Sequence, residues 1–134
     1  MTSMKTACLL ISAAAIIGCG RPDYGDLGTV VGTVTLDGSP YANATVQFTP
    51  ETGRPSIGAT DSEGKYELYY IRDVKGALPG THRVEISTNP VNPKMGSAEL
   101  KFKEPLPKRY NSRSTLTAEV RLDANQFDFA LQSR

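Results

Sequence analysis

The chain has 134 residues, 22% of them charged and 39% hydrophobic, with a formal net charge of +1. That length supports a single domain with one core. The near-neutral, interspersed charge excludes an electrostatic footprint for nucleic acid and a polybasic membrane patch.

Lys5 is the only charge before Arg21, and it precedes an apolar run from Ala7 to Ile17. A spanning helix needs about 20 consecutive apolar residues, so the run has signal-peptide length instead. Gly18, Gly20, Arg21 and Pro22 close it. Ile16-Ile17-Gly18-Cys19 resembles the lipobox of bacterial lipoproteins, which implies cleavage between Gly18 and Cys19. Small Gly18 admits a peptidase, and the Cys19 thiolate is nucleophilic enough to take a diacylglyceryl group as a thioether. Each buried methylene then contributes about 0.8 kcal/mol, and two or more acyl chains make a stable anchor. The alternatives are an ordinary signal peptide with a fortuitous cysteine, or a core segment that happens to come first.

Removing residues 1–18 takes away Cys8 and leaves 116 residues with 14 basic and 14 acidic side chains. No disulfide can then form within the chain, although an extracytoplasmic setting would permit one. The Asp that follows the modified cysteine in inner-membrane lipoproteins of some bacteria is replaced here by Gly20. That leans towards the outer membrane within a cell-envelope address. Residues 19–27, with Pro22, Gly25 and two Asp, read as a tether.

From Thr29 the hydrophobic period becomes two. Val30, Val34 and Leu36 share one face before the Asp37-Gly38 turn; Ala44, Val46 and Phe48 share the next until Pro50. Ser56–Thr60 is a short strand, followed by an Asp61-Ser-Glu-Gly64 turn in which Asp61 caps amides and Gly64 takes the left-handed corner. Tyr66, Leu68 and Tyr70 form an inward face, as do Val84 and Ile86, then Leu116, Ala118, Val120 and Leu122, then Phe127, Phe129 and Leu131. Seven such strands, with no helical period, predict an all-β fold: an antiparallel two-sheet sandwich over residues 28–132. Asn89 to Ser114 breaks the pattern as a long Pro- and Lys-rich loop, with room for a short edge strand at Leu100 and Phe102.

The order of motifs resembles the carboxypeptidase regulatory-like domain. Those motifs are Gly32-Thr-Val-Thr-Leu-Asp-Gly38, Pro40, Asn43-Ala44-Thr-Val46, Thr60-Asp61-Ser-Glu-Gly64-Lys-Tyr66 and Leu78-Pro79-Gly80-Thr-His82-Arg-Val84. Asn43 stands where that family usually has Gly, and Asn also accepts positive φ. The runs at Pro107–Leu116 and Asn125–Leu131 resemble a bacterial lipoprotein subset. The resemblance implies a seven-stranded antiparallel Greek-key β-sandwich, transthyretin-like (prealbumin-like), that serves as a structural or interaction module, and fold alone transfers no ligand.

Candidate chemistry is sparse. His82, the only histidine, points inward with Val84 and Ile86, and no G-x-S-x-G nucleophile motif accompanies it. Zinc sites use several Cys or His ligands, and Asp61 with Glu63 lacks the spacing of a calcium loop. Transthyretin-like hydrolases end in Tyr-Arg-Gly-Ser and use more than one His, whereas this chain ends Leu-Gln-Ser-Arg. Intradiol dioxygenases of sandwich fold need two His and two Tyr on iron. No catalytic residue, metal or cofactor is therefore expected. Tyr69, which points outward, and Lys108, Arg109 and Tyr110 form the candidate interaction surface. The expected role is a lipid-anchored envelope module that meets the membrane through lipid and a protein or glycan through that surface. A purely structural spacer and an enzyme with an unrecognised site stand as alternatives.

Overall fold

The computed structural model describes residues 24–88 and 103–134. The expected signal peptide with Gly18 and Cys19, and the edge strand expected at Leu100 and Phe102, lie outside the described residues. The strands are β1 Thr29–Leu36, β2 Ser39–Pro40, β3 Ala44–Pro50, β4 Ser56–Ala59, β5 Lys65–Glu67, β6 Tyr69–Ile71, β7 Val74–Lys75, β8 Gly80–Thr88, β9 Thr117–Val120, β10 Ala124–Gln126 and β11 Phe129–Leu131. A single turn of 3-10 helix spans Lys108–Tyr110.

Two sheets face each other. One is built on β1, which pairs with β2, β5, β10 and β11; the other has the order β7-β6-β4-β3-β8-β9. Alternation decides what each strand buries. Val30 and Val34 of β1, Val46 and Phe48 of β3, and Val84 and Ile86 of β8 are fully buried, and the residues that alternate with this inward set face outward. Phe48 is the hub, with ring centroids 5.8 Å from Phe127, 5.8 Å from His82 and 6.3 Å from Phe129. Full burial of such a side chain contributes about 1.5–3 kcal/mol.

Turn chemistry sits where the residues predict it. Asp37 and Gly38 both have positive φ, 51° and 85°, which matches the right-handed twist of the hairpin joining β1 to β2. Asn43 takes φ 58° and Gly64 takes 74°. Asp61 Oδ1 accepts from the N–H groups of Glu63 and Lys65, both at 2.9 Å, and so closes the turn before β5.

Three expectations need correction. The sheets are not wholly antiparallel, because β1 runs parallel to β10 through Thr29–Val31 and to β11 through Val34–Leu36. First and last strands can pair this way because most of the domain connects them, so no tight hairpin constrains their direction. The run Tyr66–Tyr70 is not one strand. β5 pairs with β1 and β6 with β4, so the chain changes sheets at Leu68, whose N–H donates to the Val30 carbonyl. That break takes Tyr70 out of the core; it is half-buried with its ring edge-on to Tyr24 at 5.5 Å. Leu122 is not inward either: β9 ends at Val120, and Leu122 is 56% exposed on the following turn.

The strands give the domain two ends. At one, Gly28 bridges to Ala77 and lies against the Arg121 carbonyl, beside the turn before β10. At the other lie the Asp37-Gly38 turn, the Asp61–Gly64 turn, the helical turn and the C-terminal residues. β1 between the ends has eight residues, about 26 Å of extended chain.

The described part of the long loop is fastened rather than loose. Beyond Arg83, where the pairing of β8 with β9 stops, the Val84 N–H donates to the Leu116 carbonyl. Side chains then take over the edge: Ser114 Oγ donates to the Val84 carbonyl, Asn111 to Ile86, and the Glu104 carboxylate accepts the Thr88 N–H at 2.9 Å. Leu106 is buried as a plug in the same segment.

Candidate functional site

The residues singled out for interaction fall into two separate places. Lys108, Arg109 and Tyr110 lie on the helical turn that packs against β8, whereas Tyr69 lies on β6. Two strands, β4 and β3, stand between β6 and β8, so roughly 14 Å of sheet separates the two places.

At the helical turn, much of the polar capacity is already engaged. The Arg109 guanidinium donates to the Gln132 and Arg134 carbonyls, both at 2.8 Å, and sits 4.7 Å from the centroid of the Tyr110 ring. The Tyr110 hydroxyl accepts from the Gln132 N–H at 2.9 Å. From the other side, Asp37 accepts from the N–H and hydroxyl of Ser133. Those two bonds hold its carboxyl below the ordinary 3.8. Arg109, Tyr110 and Asp37 thus clamp the C-terminal residues, a role that their positions in sequence do not disclose.

Tyr69 lines a groove of about 870 Å³ where the outer faces of the two sheets meet. Val31 of β1, Ile57 of β4 and Tyr69 of β6 line it and are 41%, 46% and 38% exposed. Asp61, Lys65 and Glu67 rim it. Glu67 pairs with Lys75 at 3.0 Å, and that carboxylate raises the Lys75 ammonium above its usual range. One large apolar side chain from the β1 sheet and two from the other sheet thus face the groove, inside a charged rim. Sequence reasoning found Tyr69 and missed Val31 and Ile57. Ile57 becomes its neighbour only through the β4–β6 register, which places the two opposite each other.

His82 is buried, as its inward phase predicts. Its Nε2 lies 2.6 Å from the Leu78 carbonyl, so that nitrogen carries the proton, and Nδ1 is a buried acceptor without a hydrogen-bond partner. Phe48 covers the ring. Buried under Phe48 and bonded to a backbone carbonyl, the imidazole packs in the core. Among the described residues no group of three or more His, Cys, Asp and Glu is placed to hold a metal ion. No helix there is long and apolar enough to cross a membrane.

Neither a scan against protein-family models nor a search of the curated proteins gives a match. Among solved structures, the chain is similar to a DUF3823 family protein from Parabacteroides merdae. The identity is 14% and the TM-score 0.45, over 78% of this chain and 45% of that one. The chain thus spans less than half the length of that protein.

Proposed function

We propose that this is a lipid-anchored protein of the bacterial cell envelope whose β domain is a non-catalytic module for protein or glycan contact. The observation that carries the anchor is Ile16-Ile17-Gly18-Cys19 at the end of a short apolar run behind a single Lys. The fold reading that goes with it is a carboxypeptidase regulatory-like, transthyretin-like Greek-key sandwich. Its support is the order of turn motifs, with Asp37-Gly38, Asn43 and Gly64 all at positive φ. Counting β5 with β6 and β10 with β11 as single runs of sequence, and setting aside two-residue β2 and β7, leaves seven runs, with β5 and β6 in different sheets.

A contact role rests on the groove, where Val31, Ile57 and Tyr69 stay exposed although each sits in a sheet. A lipid at Cys19 would hold the Gly28 end of the domain beside the membrane, with the groove along its side and the opposite end presented outward. The test is metabolic labelling with a palmitate analogue, in parallel with Cys19→Ser. Labelling that disappears in the variant, with release from the membrane fraction, is the expected result. An unlabelled wild type, or unchanged fractionation of Cys19→Ser, overturns the anchor. For the groove, Ile57→Asp with Tyr69→Ser should abolish cross-linked partners in cells while the protein stays folded. No partner enriched by the wild type favours the spacer reading instead.

A further inference from the structure

Resting on the lipid anchor proposed above, the end of the domain around Gly28 acquires a function of its own. We infer that this end is a lipid-contacting cap and that the Leu122 side chain inserts into the membrane interface. The first observation is reach. Only five residue steps separate Cys19 from Tyr24, which limits the Cys19 Cα to about 18 Å from the Tyr24 Cα. The chain joins the fold at this end, and β1 then runs away from it.

The second observation is what the end displays. Leu122, at 56% exposed, is the most exposed large apolar side chain among the described residues. Its position is built rather than loose. Asn125 accepts from the Arg121 N–H, and the two hydrogens of its amide nitrogen are shared among the Thr29, Arg121 and Asp123 carbonyls, which pins the turn carrying Leu122 to the start of β1. Gly28 touches that turn on one side and Ala77 on the other. On the Ala77 side of the same end, Tyr24, Tyr70 and Ile71 are half-buried, with the two tyrosine rings in contact. Tyrosines suit a membrane interface because the ring is apolar and the hydroxyl stays wet.

The third observation is charge. Arg54, Arg72 and Arg121 stand with Asp26, Glu51, Asp73 and Asp123 at this end, so neither sign dominates. The contact is therefore apolar, indifferent to anionic lipid and to salt, and it orients a domain that the acyl chains already hold.

The experiment uses the processed lipoprotein reconstituted in phosphatidylcholine vesicles. Processing removes Cys8 and engages Cys19 in the thioether, so an introduced cysteine is the one free thiol. Leu122→Cys and Ser39→Cys, the latter exposed at the opposite end of β1, are labelled with an environment-sensitive fluorophore. The expected result is a blue shift and quenching by brominated lipid at position 122 and neither at 39, unchanged by phosphatidylglycerol or by salt. The intact mass of the same sample reports the acyl chains. Acylated protein whose probe at position 122 behaves as in water overturns the cap and leaves the anchor standing. Unacylated protein overturns both. Equal quenching at 122 and 39 shows a domain lying on its side and overturns the cap. A shift seen in native membranes but absent in lipid vesicles assigns Leu122 to a protein and also overturns it.

Discussion

Asn125 is the residue whose removal should cost this fold more than its size would indicate. Its side chain lies 3.0 Å from the Arg121 N–H, 3.0 Å from the Thr29 carbonyl, 2.8 Å from the Arg121 carbonyl and 3.0 Å from the Asp123 carbonyl. Each such bond contributes about 0.5–1.5 kcal/mol net, and a buried group left without its partner costs more. Water can replace some of them at the turn, so Asn125→Ala should lose about 2–4 kcal/mol. For a domain of this size that is roughly 10–20 °C in Tm. Urea unfolding followed by tyrosine fluorescence is a suitable assay, because the chain has six Tyr and no Trp. Asn125→Asp separates the bonds: the carboxylate still accepts from Arg121 but confronts three carbonyls. Those carbonyls favour its protonated form, raising the folded pKa, so this variant should be nearest to wild type at low pH and lose ground as pH rises. A change below about 0.5 kcal/mol for Asn125→Ala, typical of an uninvolved surface site, would refute the stapling argument.

Gly32→Ala should unfold the domain or cost at least about 3 kcal/mol, because the added Cβ would sit 1.9 Å from the Phe127 carbonyl oxygen and part β1 from its parallel neighbour; soluble expression with an unchanged urea midpoint contradicts this. Tyr66 donates its hydroxyl to the Phe127 carbonyl at 2.5 Å, and burial, with Asp128 adding to it, raises the phenol above its ordinary 10.0. Because the folded value is the higher one, its stabilisation is intact below pH 10 and is lost as pH climbs beyond it. Tyr66→Phe should be less stable than wild type at pH 8 but show a shallower alkaline decline in urea midpoint; parallel declines would sink the assignment. His82→Leu exchanges one hydrogen bond for the removal of an unsatisfied buried nitrogen, so stability should move by no more than about 1 kcal/mol. A large loss measured by urea unfolding would mean that Nδ1 has a partner in solution.

Much of the local structure is legible in the residues. Asp37-Gly38 sets a hairpin because both positions tolerate positive φ, and Asp61 closes its turn with an oxygen that reaches two amides. β1 needs only its alternation. Pairing is less legible, since no local rule states that β10 and β11 return to run parallel with β1. Nor does alternation reveal that Leu68 hands the chain from one sheet to the other, which is why Tyr70 reads as core and is not. The candidate surface divides for the same reason. Tyr69 finds Val31 and Ile57 through long-range registers, while Arg109 and Tyr110, charged and aromatic in a loop, look available yet hold the C-terminal residues. Glu104 and Ser114 completing the β8 edge had no signal beyond being polar in a Pro-rich stretch.

The intact mass of the protein purified from its native membrane bears most directly on where this molecule works. A chain that begins at Cys19 and carries a diacylglyceryl thioether is the predicted result. A chain with a free thiol at that position, or one that begins elsewhere, would contradict the proposal that fatty chains hold the domain at the envelope.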